Sequence, residues 1–102
     1  PGVLGDSVRI EEGYDAAKLC AINALAAIKS VVGDLERVKQ VVKVVGFVAS
    51  APGFDQQPRV INGASELLGE VFGERGQHAR SAVGVSALPL GTSVEVEVTV
   101  RI

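Results

Sequence analysis

The sequence predicts an α+β fold, a two-layer sandwich with two helices on one face of a mixed β-sheet. Three observations carry this. Two stretches place apolar residues at spacings of three and four, as helices with one buried stripe do. The run Val38–Val48 is dominated by β-branched residues, which suit a pleated strand better than a continued helix, with a helix left open only for its first few residues. From Val94 to Ile102 valines alternate with Glu95, Glu97, Thr99 and Arg101, the period of a strand with one dry face. Two amphipathic helices and such a sheet bury their apolar surfaces by stacking in two layers.

Each element follows in order. Pro1 to Val8 hold two glycines and a proline and read as an extended lead-in. From Glu11, the residues Tyr14, Ala17, Ala21, Leu25, Ile28 and Val32 share one helical face, and Gly33 stops that helix. Asp34 caps a short turn through Arg37. The valine-rich strand comes next, with Val42, Val44 and Val48 on one side and Val41, Val45 and Phe47 on the other. Both faces being apolar, it belongs at the centre of its sheet. Ala51-Pro52-Gly53 breaks the strand, and Asp55 is the expected cap of a second helix with Pro58 in its first turn. Its stripe is Ile61, Ala64, Leu68 and Val71, and Gly73 ends it. Glu74 to His78 form a polar loop, and Arg80 to Ser86 a second strand. Leu88-Pro89-Leu90-Gly91 supplies the turn that joins this strand to the last as a hairpin.

Length and charge narrow the function. At 102 residues the chain has room for one core, and residues 1–102 read as one domain. Ten basic against twelve acidic residues give a net charge of −2, no footprint for a phosphate backbone, so no nucleic-acid partner is expected. No apolar run approaches the roughly 20 residues that span a bilayer, and no signal segment opens the chain, so a cytoplasmic protein without a membrane partner is expected. Cys20 is the only cysteine. It admits no intrachain disulfide and reads as a small buried hydrophobe in the first helix. One His and one Cys far apart offer no metal-ligand spacing. Gly73 and Gly76 lead into a strand, so no phosphate-binding loop is seen, and no cofactor is expected. His78 reads as a surface residue of a polar loop, Tyr14 as packing at a helix start, and Glu66 with Glu70 as a solvated helix face. On the sheet, Lys43, Arg80, Glu95 and Glu97 are too polar for a dry second face, and the apolar residues between them point to a subunit interface that bears a site.

Three segments go further. Ala79-Arg80-Ser81-Ala82-Val83, then Ala87-Leu88-Pro89-Leu90-Gly91, then Val94-Glu95-Val96-Glu97 resemble, in order and spacing, the C-terminal signature of the Rid/YjgF family of reactive-intermediate imine deaminases. Val44 to Val48 resembles that family's central strand, and Glu66 to Glu74 its second helix with the closing Phe-Gly-Glu. The resemblance runs from about residue 9 onward and marks the chain as a member lacking the opening strands; a first residue of Pro1 instead of Met fits a processed or truncated form. It implies a chorismate-mutase-like, ferredoxin-like architecture assembled as a homotrimer with sites between subunits. It also implies hydrolysis of enamine and imine intermediates such as 2-aminoacrylate to a 2-keto acid and ammonia.

By motif match, Arg80 takes the substrate carboxylate and Glu95 sits near the attacking water, with Glu97 on the same strand face as a fallback. Two parallel hydrogen bonds let a guanidinium grip a carboxylate, and a carboxyl group tuned toward neutrality can move the protons of imine hydrolysis. The family's site asparagine aligns with Ser65, and Asn62 lies one turn earlier, so both are candidates for substrate binding. Ala82 stands where many members carry cysteine, and the tyrosine and the serine or glycine from the family's first strands have no counterpart. From spacing alone, an Arg and a Glu on polar faces of adjacent strands read as an ion pair. The alternative to a deaminase is a trimeric binder of small carboxylate metabolites. An endoribonuclease ranks third, because acidic charge and four aromatic residues give little to hold or stack RNA. Chorismate mutation would need more cations for its dianionic substrate than Arg80 and Lys43.

Overall fold

The computed structural model describes residues 2–102; Pro1, and with it any reading of the first residue, lies outside them. The chain runs through α1 (Ile10–Val32), β1 (Gln40–Ala49), α2 (Gln57–Phe72), β2 (Ala79–Val85) and β3 (Val94–Arg101). Short 3-10 turns fall at Leu35–Arg37, Gly73–Gly76 and Pro89–Gly91. The two helices lie on one face of a three-stranded mixed sheet of order β2-β1-β3, the α+β two-layer architecture read from the sequence.

The strand predicted to be central is central, but the expected hairpin does not form. β1 pairs parallel with β2 and antiparallel with β3, so the last two strands flank it without touching. The reason is the connection: α2 carries the chain from β1 back to the start of β2, and a strand-helix-strand crossover makes parallel neighbours. Pairing on both edges also satisfies the backbone of the strand with the most buried side chains. Leu90, with φ 59°, and Gly91, with φ 68°, turn the chain between β2 and β3.

The sides of β1 also differ from a strict alternation. A register irregularity between Val41 and Lys43 brings Val41 onto the helix-facing side with Val44, Gly46 and Val48, all buried, and leaves Val42 46% exposed. A bulge of this kind adds one residue to a strand and flips the sides beyond it. Val94, Val96, Val98 and Val100 face the helices, and Glu95, Glu97, Thr99 and Arg101 stay exposed, as the alternation predicts.

In α1 the buried residues are Gly13, Ala17, Ala21, Leu25 and Val32, and Gly33 ends the helix at φ 89°. The Glu12 carboxylate accepts from the Arg9 backbone N–H at 2.9 Å, which holds its pKa below the usual value. Asp34 accepts from Glu36 N–H at 2.9 Å, the turn cap foreseen for it. α2 departs in two details. Its N-cap is Gln56, not Asp55, although Pro58 does sit in the first turn. Its stripe closes on Phe72, while Val71 is 44% exposed. The helices approach so closely that a Cβ on Gly63 would overlap the Tyr14 carbonyl oxygen, and α2 lies so close to β1 that one on Gly46 would collide with Ile61. The lead-in is built into the core: Leu4 is fully buried, and its backbone bonds to Ala49 and Ala51 at 2.8 Å each.

Candidate functional site

Arg80 occupies the second position of β2, opposite Val44 in the parallel register. Residues opposite one another share a face, so its side chain is sent to the helix side. There Arg80 Nη1 donates to Asn62 Oδ1 at 2.7 Å and to Ser65 Oγ at 3.3 Å. Asn62 and Ser65 lie three residues apart on α2 and present neighbouring side chains. The structure therefore joins both asparagine and serine candidates to the arginine. Arg80 is exposed, and the ion pair found among the described residues is Arg9–Glu12, so the guanidinium has no carboxylate partner there.

His78 joins this group, which its polar loop gave no reason to expect. Its Nε2 lies 2.9 Å from Ser65 Oγ, and its Nδ1 lies 2.5 Å from the Gly76 carbonyl oxygen. A carbonyl can only accept, so Nδ1 carries the hydrogen, Nε2 of the neutral ring is an acceptor, and Ser65 donates to it. The Arg80 N–H can only donate, so Ser65 Oγ also accepts. One hydroxyl thus links guanidinium and imidazole.

The segment carrying Gly76 and His78 is pinned from outside. Arg75 Nη1 donates to the Val38 carbonyl at 2.6 Å and its guanidinium stacks over Phe72 at 5.4 Å. Gln40 Nε2 donates to the Gln77 carbonyl at 2.5 Å. At Gly76 a Cβ would lie 2.5 Å from the Leu68 carbonyl oxygen, so only glycine brings the turn this close to α2. The sequence signal that could have placed His78 was its position two residues before Arg80, which sends both side chains to the same side of the chain.

Next to Asn62 opens a surface hollow of about 340 Å³ that Tyr14, Asp15, Arg59 and Glu66 also line. Tyr14 donates its hydroxyl to Glu66 Oε1, and that bond raises the tyrosine pKa above its ordinary value. Tyr14 therefore ties α1 to α2 besides packing, and Glu66 is not merely solvated.

Glu95 is not part of this group within the chain. It pairs with Phe47, on the open face and on the far side of β1 from Arg80. Two strand spacings across and three residues along separate the two by roughly 10 Å in each direction. They are not on adjacent strands and form no ion pair. Glu95 shares a hollow of about 500 Å³ with Cys20, Asn23 and Thr92. There burial, and secondly the Glu95 charge, push the Cys20 thiol pKa up. Glu97 lies opposite Val45 on the same open face. That face carries Lys43, Val45 and Phe47 in its middle row, with Val83 42% exposed beside them.

Among the described residues no group of three or more His, Cys, Asp and Glu is placed to hold a metal ion, and no helix is long and apolar enough to cross a membrane.

Residues 1–100 match the family described as YjgF/chorismate mutase-like, putative endoribonuclease. Protein TCP17 of Trypanosoma cruzi is 49% identical over 102 residues, covering 99% of this chain and 64% of that protein. A crystal structure of a protein of unknown function from Agrobacterium tumefaciens superposes with a TM-score of 0.97 at 48% identity, over 99% of this chain and 65% of the other. A Shewanella oneidensis structure named a putative endoribonuclease gives 0.96 at 34% identity, over 99% and 67%. The chain thus spans a little under two thirds of the length of TCP17 and of the Agrobacterium protein.

Proposed function

The chain belongs to the YjgF/chorismate mutase-like family, and from that membership we propose that it hydrolyses small enamine and imine intermediates of the 2-aminoacrylate type to 2-keto acids and ammonia. The observation that carries the reading is the setting of Arg80. Neutral side chains, Asn62 and Ser65, hold one edge of its guanidinium, and no carboxylate neutralises it. A cation oriented this way and left without a counter-ion suits a small carboxylate, which can take two parallel hydrogen bonds from the free N–H groups.

Hydrolysis then needs a water at the imine carbon and a group that moves its protons. In this reading Glu95 serves from a neighbouring copy. Its place on the open face, beside the half-buried Val45 and Phe47, supports a homotrimer in which that face is covered and the carboxyl of one subunit approaches the Arg80 of the next.

The test is ammonia release from 2-aminoacrylate generated in the assay by an eliminating lyase. Arg80→Ala is expected to weaken substrate capture by about 2 kcal/mol, roughly 30-fold in kcat/KM, the size of one charge-assisted contact. Full activity in that variant would remove the basis of the proposal. A second reading, a binder of small carboxylates without turnover, draws on the separation of Glu95 from Arg80 in the single chain. Calorimetric binding of 2-ketobutyrate with no ammonia release would select it. The endoribonuclease named for the Shewanella protein is less favoured here, given the net charge of −2 and four aromatic residues.

A further inference from the structure

We infer that Ser65 and His78 form a proton relay beside Arg80, so that this chain carries an acid/base group of its own in the site, separate from Glu95; the inference rests on the deaminase reading above. Its ground is the directional chain of hydrogen bonds. The Gly76 carbonyl fixes the hydrogen on His78 Nδ1, Nε2 accepts from the Ser65 hydroxyl at 2.9 Å, and the same oxygen accepts from Arg80 at 3.3 Å. A ligand carboxylate on the free edge of that guanidinium would bring its neighbouring carbon close to the hydroxyl. Imidazole is also the side chain whose ordinary pKa best suits proton transfer near neutral pH.

The step balances as follows. Water adds to the carbon of the protonated imine, and the C=N π pair moves to nitrogen. One water proton passes to Ser65 Oγ as the Ser65 hydrogen passes to His78 Nε2. The imidazolium, with Nδ1–H still on Gly76, returns its proton through Ser65 to the amine. The C–N bond then breaks as C=O forms, and the departing ammonia takes the remaining hydroxyl proton, leaving a 2-keto acid and ammonium. Ser65 meets the water, and His78 acts through it. Ionisable groups on the elements around His78 are Arg80 on β2, Lys43 on β1, Glu74 and Arg75 in the turn, and Arg59, Glu66 and Glu70 on α2. Of these Arg80 shares the Ser65 hydroxyl.

His78 is the only histidine, so its ring nitrogens can be read without assignment by ¹⁵N NMR. The expected result is the Nδ1–H tautomer in the neutral ring, lost or mixed in Ser65→Ala. His78→Gln is expected to bind 2-ketobutyrate within about twofold of the parent while kcat for ammonia release falls about 100-fold, the low end of general acid–base contributions. An Nε2–H tautomer, or a His78→Gln variant with unchanged kcat, would overturn the relay and leave the Arg80 reading standing. Absence of ammonia release from the parent chain would sink the deaminase reading and the relay together.

Discussion

Single residues here are set by what their partners can donate or accept. Tyr14 gives its proton to Glu66, and that bond, with secondary contributions from burial and nearby negative charge, raises its pKa above 10.0. A raised folded-state pKa means that the folded chain holds the proton more tightly. The stabilisation is full below the unfolded value and is lost as pH climbs through the folded one. Tyr14→Phe should therefore melt below the parent at pH 8, with the gap narrowing as pH rises past 10. A gap that stays constant across that range would show that the bond does not govern the titration. At Cys20 the thiol pKa is raised first by burial and then by Glu95. Glu95→Gln should lower it and speed reaction with a disulfide reagent at pH 8; an unchanged rate would place the carboxyl elsewhere. Arg80 and its match to a family motif were legible from sequence. His78 was not, because its role depends on a turn held by Arg75 and Gln40, residues remote from any motif.

At the scale of elements, periodicity located both helices and all three strands within about two residues, since a buried face imposes its period wherever it lies. What periodicity could not see was local. The β1 bulge moved Val41 into the core and Val42 out of it, and the α2 stripe took Phe72, which is buried, in place of Val71, which is 44% exposed. A glycine also hid a close approach between the two helices. Gly63 allows α2 to pass the Tyr14 carbonyl with no room for a Cβ. Gly63→Ala should cost about 2 kcal/mol, as overpacking of a tight contact does, and lower the denaturation midpoint with far-UV circular dichroism preserved. Unaltered stability would mean that the helices separate freely.

For the whole molecule, the open face of the sheet is the surface that the proposed assembly covers. Val45, Phe47 and Val83 lie among Lys43, Glu95 and Glu97 there, a mixture of apolar centre and charged margin such as interfaces carry. Light scattering should give a mass about three times that of the 10.5 kDa chain, and Phe47→Asp should return it to one. A parent that scatters as a monomer at micromolar concentration would refute the trimer and, with it, the supply of Glu95 from a neighbour.

The sequence by itself determined the layers: helical and strand periods, the apolar run that places β1 in the middle, and the alternating tail with one wet face. These are properties of short segments, each forced to bury one side. It also carried the motif that marks the family. Only the tertiary structure decided which strands touch, since a turn-rich link between β2 and β3 looks like a hairpin until the crossover through α2 is followed. The same holds for the site. Arg80, Asn62, Ser65 and His78 come from two elements and a turn, and whether they meet, while Glu95 does not, depends on sheet register and face, which no local pattern encodes.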